Sequence, residues 1–533
     1  MKSLAEVIAD HAAHRPELPA FIDGDERLTW SQYAERSEQL ARLLVQLGLA
    51  PGERLAVLLP DGPDVHVAFV AAEKAGLVVM GIGPRAGEQE IRHLLAVSGA
   101  SALLSHARHR DLDTAELARA LRSEGLPLRR HIVSRPGLGS GEALQVDDVP
   151  TALSKTHDEL PNGLPERLSD RRLGTDDVFL LNSTSGTTGM PKCVVHDQAR
   201  WLYFHELAVE AADLDASDVF LSALPAPFGF GIWTGHVSPT LLGAPTVLLS
   251  AFSAEEMIRR IERHRVSVLA AVSTQFIMML DSPLLERADL RSLRVLFTGG
   301  EAVPRARAEA FEERTGARVL QFYGSNETGA LSCTSLRDTR EVRLSTAGHI
   351  IPGMQVRLFD EAGSDVTSSG RGIPGCKGPA TSRGYYGDPA ANAALYSRDG
   401  WMLTGDIATL DSEGVLCVVG RVADFIIRGG KNISGPAVEE AVAAHPAVAI
   451  AAAVAMPDPV FGERVCVYVE LRPGRSLELE ELTKHLEEHG SSRESLPERL
   501  VVLDALPRSS GGKIAKQLLR DDICARIEQE RDA

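Results

Sequence analysis

Five hydroxyl side chains and two glycines crowd into the stretch Leu181–Lys192 (LNSTSGTTGMPK), directly after the apolar run Val178-Phe-Leu-Leu. Such a loop can turn backbone N–H and side-chain O–H donors onto phosphate oxygens. Thr184, Ser185, Thr187 and Thr188 are the candidate donors, Gly186 and Gly189 permit close approach, and Lys192 brings a positive charge. It is not a Walker loop, which needs Gly and Lys adjacent, because Met190-Pro191 intervene. A loose Ser/Thr/Gly linker would require neither a strand before it nor Pro-Lys after it.

The elements that must hold this loop read as βα alternation. Trp30–Leu47 has helical spacing of apolar residues, Arg54–Pro60 reads as a strand, and Val65–Ala75 is helical again. That order implies a mainly parallel sheet covered by helices. The polar segment Arg135–Asp177, with several Pro, Gly and acidic residues, reads as a long surface connection. Alternation resumes at Val178 and continues through Val266–Val272 and Leu293–Phe297. From about Ser332 to Val419 short β-like runs with turns suggest a small antiparallel or barrel unit. From Asp424 the chain returns to mixed α and β, with helices expected near Ala437–Ala444 and Leu479–Glu488. The expected fold is α/β: a large N-terminal domain, 1–420, of two βα-layered sheets plus a small β-barrel (subdomains about 1–170, 175–330 and 331–420), then a small α+β domain, 421–533.

At 533 residues, with 44% hydrophobic and 24% charged residues, the chain has the balance of an ordinary globular protein of several folding units. Its net charge of −17 and the lack of a dense Lys/Arg run disfavour a nucleic-acid partner. The apolar run Ala447–Met456 is too short for a bilayer and reads as a buried strand, so no membrane insertion is expected. Six scattered cysteines and an N-terminus without a signal-like apolar core fit a reduced, cytoplasmic protein. Two apparent motifs fail their context. Gly370–Gly375 (GRGIPG) follows a polar stretch and carries Pro374 where a helix should open, and His106 and His109 lack a carboxylate or cysteine partner, so they read as exposed loop histidines.

The loop Leu181–Lys192 closely resembles the phosphate-loop signature of the adenylate-forming superfamily of acyl-CoA synthetases, peptide-synthetase adenylation domains and luciferases, and further resemblances recur in order along nearly the whole chain. In Gln321–Gly329 (QFYGSNETG) the match implies that Tyr323 stacks on adenine beside Gly324 and that Glu327 binds Mg²⁺. Asn326 stands where the family usually has Thr, so its phosphate contact would come from an amide. In Trp401–Gly414 (WMLTGDIATLDSEG) Asp406 would accept from both ribose hydroxyls, with Arg421 of Val418–Gly435 a second ribose ligand. The glycine loop Gly429-Gly430-Lys431 would lie beside the pantetheine of coenzyme A, and Lys513 in Leu506–Arg520 (LPRSSGGKIAKQLLR) would reach the acyl carboxylate and α-phosphate. Gly300 and Glu301 complete the nucleotide set. Cys193 and Ala423 depart from the family's usual residues without removing a catalytic group.

The resemblance implies a two-step reaction on a small carboxylic acid: acyl-AMP and pyrophosphate form from Mg-ATP, and a thiol then takes the acyl group as the small domain rotates. Substrate choice should lie in Leu224–Gly235 (LPAPFGFGIWTG), with Phe228, Gly229, Phe230 and Trp233 in the acyl pocket beside Gly299 and Ser325. Amino-acid-activating relatives hold the substrate ammonium with an Asp at the position of Gly229, which offers no charge. An unpaired buried ammonium is costly, so α-amino acids are disfavoured. The spacing Phe-Gly-Phe-Gly looks like that of benzoate-type ligases and favours an aromatic or cyclic acid, with Trp233 equally readable as plain core. The acceptor is CoA or, alternatively, the phosphopantetheine of a carrier protein. A catalytically silent homologue is disfavoured because Lys192, Glu327, Asp406, Arg421 and Lys513 are all present.

Overall fold

The structure is a computed structural model that describes residues 2–135, 144–151, 168–184, 190–301, 303–421, 424–428, 431–489, 491–508 and 513–532. The predicted helix in the first unit runs Trp30–Gln46 and is started by Thr29, whose hydroxyl accepts from Gln32 N while the Gln32 side chain returns to the Thr29 backbone. The next runs Pro63–Ala75, opened by Pro63 and closed by the left-handed Gly76. Between them the strand Arg54–Leu58 is buried from Leu55 onward, as a parallel strand covered on both faces must be.

Two large sheets form the N-terminal body. The eight-stranded sheet runs, edge to edge, Val149–Thr151, Leu144–Val146, Arg130–Val133, Ala102–Ser105, Arg54–Leu58, Val78–Gly81, Val178–Ser183 and Cys193–Asp197. The nine-stranded sheet runs from His349–Ile350 through Gly329–Cys333, Arg318–Ser325, Val295–Gly299, Val268–Ala270, Phe220–Ser222 and Thr246–Val247 to Pro19–Asp23 and Glu26–Thr29. A shared apolar core joins them, with Val57, Val79 and Leu180 from the first sheet and Val268, Val295 and Leu320 from the second.

The segment expected to be a surface connection is partly sheet. Leu144–Val146 and Val149–Thr151 form a hairpin on the edge of the eight-stranded sheet. Its turn residues Asp147 and Asp148 both have positive φ, 50° and 68°. Asp tolerates that region, which suits the right-handed twist of flanking strands, but Asp-Asp without Gly is a weak signal in sequence. The short β-like runs after residue 331 serve two sheets: Gly329–Cys333 and His349–Ile350 extend the nine-stranded one, and a five-stranded antiparallel sheet follows as Gln355–Phe359, Arg371–Lys377, Asp406–Leu410 and Leu416–Arg421, with Met402–Leu403 on the second strand. The GRGIPG sequence lies on the strand Arg371–Lys377. His106 and His109 are half-buried rather than exposed, because the short hairpin Arg108–Asp113 folds back and His109 Nε2 meets Ala86 O at 2.9 Å.

The C-terminal unit is a five-stranded sheet, Lys431–Ser434, Phe425–Arg428, Gly462–Leu471 and Val448–Asp458, with Arg499–Val502 on the third strand. The predicted buried strand is Val448–Asp458, and the two predicted helices are Gly435–Ala443 and Leu479–Glu488. Among the described residues no helix is long and apolar enough to cross a membrane, no His/Cys/Asp/Glu cluster could hold a metal ion, and all six cysteines are free thiols.

Candidate active site

Parallel strands deliver their C-terminal ends to one edge, where backbone groups are left without ladder partners. Val178–Ser183 ends in Thr184, whose N–H donates to Lys192 O (2.9 Å) and whose hydroxyl accepts from Lys192 N (3.1 Å). Those two bonds close the neck of the proposed phosphate loop; Ser185, Gly186, Thr187, Thr188 and Gly189 themselves lie outside the described residues. The Lys192 ammonium sits 4.9 Å from the centre of the Tyr385 ring.

The strand Arg318–Ser325 of the nine-stranded sheet carries Tyr323, Gly324 and Ser325 at its C-terminal end, which meets the end of Val178–Ser183 through Asn326 Nδ2 and Ser183 O. Tyr323 Oη donates to Asp406 Oδ2 at 2.6 Å, and Arg421 Nε donates to Asp406 Oδ1 at 3.2 Å. Asp406 and Arg421 face one another because their strands pair in that register. Burial pushes the Asp406 carboxyl up from its ordinary value, against the pull of Arg421 and Tyr323. Burial, then the neighbouring carboxylate, pushes the Tyr323 phenol well up.

Lys513 comes from the other unit. The Arg508–Ile514 bridge and the Ala515 N to Pro507 O bond hold its segment just before the helix Lys516–Asp532. Its ammonium lies 3.0 Å from where a Cβ on Gly300 would stand, and Gly300 itself has φ 78°. Glycine at that position both adopts the backbone conformation and leaves room for the lysine. Glu301 accepts from Thr274 N at 3.0 Å. Burial lowers the Lys513 pKa, Arg421 lowers it further, and Glu301, Asp406 and Glu327 oppose both.

Glu327 is held by a residue that sequence reasoning missed: Tyr385 Oη donates to Glu327 Oε1 at 2.8 Å. Tyr385 lies in SRGYYG, in a turn-rich stretch whose only sequence signal is the aromatic pair, and its phenol is raised by burial and by Glu327. A second missed residue, Asp61, accepts from Ala226 N at 2.8 Å and so pins the start of the proposed acyl segment; burial raises its carboxyl to about 7.

The proposed acyl residues have different surroundings in the structure. The Phe228 ring lies against Gly83, 2.8 Å from where a Cβ there would stand. Phe230 is half-buried and stacks on Trp233, ring centres 5.7 Å apart. Trp233 itself is core: 5% exposed, it stacks on Phe297 and meets Phe322 edge-on. It opens a π-helical turn, Trp233–Val237. Gly229 is buried beneath Asn326, and the Asn326 amide turns inward, donating to Ser183 O at 3.3 Å. Gly299 is within its strand against Phe322. Ala423, Gly429, Gly430 and the Lys431 side chain lie outside the described residues.

Residues 8–386 match the family model for AMP-binding enzymes, and 437–513 match that of the AMP-binding enzyme C-terminal domain. The chain is 32% identical to the 2-hydroxy-7-methoxy-5-methyl-1-naphthoate–CoA ligase of Streptomyces carzinostaticus, covering 97% of this chain and 93% of the relative. It is 30% identical to the 2,3-dihydroxybenzoate-AMP ligase of Bacillus subtilis, covering 99% and 94%. Its fold matches the crystal structure of an anthranilate CoA ligase bound to anthranoyl-AMP with a TM-score of 0.85, at 22% identity over 98% of this chain and 97% of that one. A site of one aromatic–carboxylate–arginine cluster and one lysine brought from a separate C-terminal unit, on a chain matched along nearly its whole length, makes this protein an ATP-using adenylate-forming acid ligase of the AMP-binding enzyme family.

Proposed function

We propose that the protein is an aromatic or cyclic carboxylic acid–CoA ligase that forms an acyl-AMP and then an acyl-CoA thioester. The observation that carries this reading is Lys513, set beside Gly300 in the combined field of Glu301, Asp406 and Glu327. A carboxylate approaching a triphosphate is repelled, and a preorganised ammonium at that point offsets the charge building up in the transition state. Tyr323, Asp406 and Arg421 hold the nucleoside, and Thr184, Lys192 and the loop between them hold the phosphates. Glu327 fits Mg²⁺: Tyr385 occupies Oε1, and Oε2 has no donor among the described residues, leaving a hard oxygen for a hard cation. Bound there, the ion would neutralise phosphate charge.

Gly229 and Phe230 give the acyl side an uncharged surface, which supports an uncharged ring on the acid. Residues 1–420 form the binding body and 421–533 the moving one; rotation about the segment after Arg421 would withdraw Lys513 and bring Gly429-Gly430-Lys431 to the thiol. CoA as acceptor is supported by the naphthoate–CoA ligase likeness, and free thiols throughout fit the cytoplasm. The test is acid-dependent pyrophosphate exchange into ATP across a carboxylic-acid panel, followed by acyl transfer to CoA. Exchange without transfer to CoA, but with transfer to a phosphopantetheinylated carrier protein, replaces the ligase with a carrier-loading enzyme.

A further inference from the structure

Gly229 has no side chain, yet the space its Cβ would fill is occupied. The Asn326 Oδ1 lies 2.2 Å from that Cβ position, with the Trp201 ring at 3.5 Å. Any side chain at 229 therefore requires Asn326 to move.

The orientation of that amide is set by a chain of buried hydrogen bonds whose direction can be worked out from its one unambiguous donor. Arg200, 2% exposed, has only donors, and its Nη1 meets His196 Nδ1 at 2.6 Å. His196 Nδ1 must accept, so the neutral ring carries its proton on Nε2. Burial, then Arg200, drives the His196 pKa well down, in keeping with a neutral ring. Nε2–H then donates to Asn182 Oδ1 at 2.7 Å, which leaves the Asn182 amide nitrogen to face Asn326 Oδ1 at 3.5 Å. Asn326 Nδ2 donates to Ser183 O at 3.3 Å, and Arg200 Nη1 also donates to the main-chain carbonyl of Asn326 at 3.0 Å, closing the circuit. A flipped Asn326 amide would set NH₂ against NH₂ and carbonyl against carbonyl.

The result is a neutral oxygen, held in one orientation, with one long bond to Asn182 and no other donor among the described residues. A carbonyl oxygen has two lone pairs, so one is left for a ligand. We propose that Asn326 and Gly229 form one specificity element, in which the Asn326 side-chain carbonyl accepts a hydrogen bond from a neutral donor, a phenolic hydroxyl or ring amino group, on the aromatic acid. This rests on the acid–ligase reading above. A neutral acceptor selects against rings bearing an anionic or acceptor-only substituent at that place, because the amide oxygen would be left unpaired against them.

The experiment measures kcat/KM for pyrophosphate exchange, with the KM for ATP, on benzoates with and without hydroxyl or amino substituents, for wild type, Asn326→Ala, Gly229→Ala and the double variant. For the donor-bearing acids Asn326→Ala is expected to lose about 10- to 100-fold in kcat/KM, and to lose far less for the unsubstituted ring, with the ATP KM unmoved. Gly229→Ala should reproduce that loss by displacing the amide, and the double variant should be no worse than either single one. Asn326→Ser, smaller in its disturbance of the buried chain, should show the same change of ranking. A uniform loss across all acids with a raised ATP KM overturns the inference and returns Asn326 to the phosphates. Wild-type exchange with aliphatic acids alone overturns both this inference and the aromatic reading, whereas aromatic exchange with an unchanged ranking overturns this one only.

Discussion

The two halves of the site are held by different physics. Tyr323 packs against the buried cluster that runs from Leu4 to Met402 in the N-terminal body, and also against a smaller one, Ala347, Ala408 and Leu416, that backs the Asp406 strand. Lys513 belongs to a unit with separate cores, one of Ile426, Val438, Val465, Val467 and Leu482 and another of Cys466, Tyr468, Leu506 and Ile523. The seam between the units is polar: Arg472 pairs with Asp281, Arg307 Nη1 lies 3.7 Å from the same carboxylate, and Arg307 Nη2 donates to Val448 O at 3.4 Å. An apolar interface must be broken at the full cost of re-exposing its surface, whereas ion pairs exchange for water at little net cost. On the proposed reading the nucleoside cluster is the fixed half, and Lys513 is on the half that leaves.

The strongest way to break the comparison is to remove the lysine. Lys513→Ala should slow acyl-AMP formation by about two to four orders of magnitude, the loss usual for one preorganised charge, while thioester formation from supplied acyl-AMP stays near normal. Single-turnover assays of each step check it; equal impairment of both steps would mean that the lysine never leaves. The same group sets a pH dependence. Because its pKa lies below the ordinary lysine value of 10.5, the ammonium needed for adenylation is lost at lower pH than for a free lysine. Adenylation kcat/KM in the free enzyme should fall on the alkaline side earlier than 10.5 predicts, and Lys513→Arg, which stays charged, should remove that limb even if its rate is lower.

Smaller in effect is Asp406→Ala, which strikes the fixed half. Asp406 is buried, and its carboxylate takes both the Tyr323 hydroxyl and the Arg421 guanidinium, so its loss leaves two donors without their acceptor. The KM for ATP should rise about 10- to 100-fold, the range for losing hydrogen bonds to a charged group, with the KM for the acid nearly unchanged. Steady-state kinetics in each substrate decide it; an unmoved ATP KM would remove Asp406 from the nucleotide site.

The fixed half was the more legible in sequence. Strand periodicity and the hydroxyl-rich run singled out the stretch after Val178–Ser183, and the resemblance of short motifs to the family's singled out Tyr323 and Asp406, because each motif is a few consecutive residues. What depends on through-space meeting was not visible. Tyr385 meets Glu327 across 58 positions, and Asn326 reaches Gly229 through a chain beginning at Arg200. The ring contacts of Trp233 with Phe297 and Phe322 likewise join residues far apart in the chain. The Asp147–Asp148 hairpin was hidden because its turn uses Asp where Gly or Asn would have announced it.

The smallest effect tests the seam itself. Asp281 follows the helix Ser273–Leu280 in the body and faces Arg472 just beyond the strand Gly462–Leu471 of the C-terminal unit, with Arg307 behind it. The carboxylate and Arg472 side chains are about a quarter exposed, 23% and 27%, so solvent screens the pair. Exposed or partly exposed pairs contribute about 0.2–1 kcal/mol, which corresponds to roughly a 1.4- to 5-fold change in the balance between docked and undocked units. Asp281→Ala removes the one anion between two arginines and leaves them facing each other, so the docked arrangement loses attraction and gains repulsion together. Adenylation, which needs Lys513 in place, should fall by a factor of roughly two to five, and thioester formation should be unchanged or slightly faster. The matching loss should shrink as salt is raised, since screening already weakens the wild-type pair. If Asp281→Ala slows both steps alike, or if its effect does not respond to salt, the seam is not held by this charge, and other contacts between the units, such as Arg307 Nη2 to Val448 O and Ser434 Oγ to Val419 O, carry the docking of Lys513.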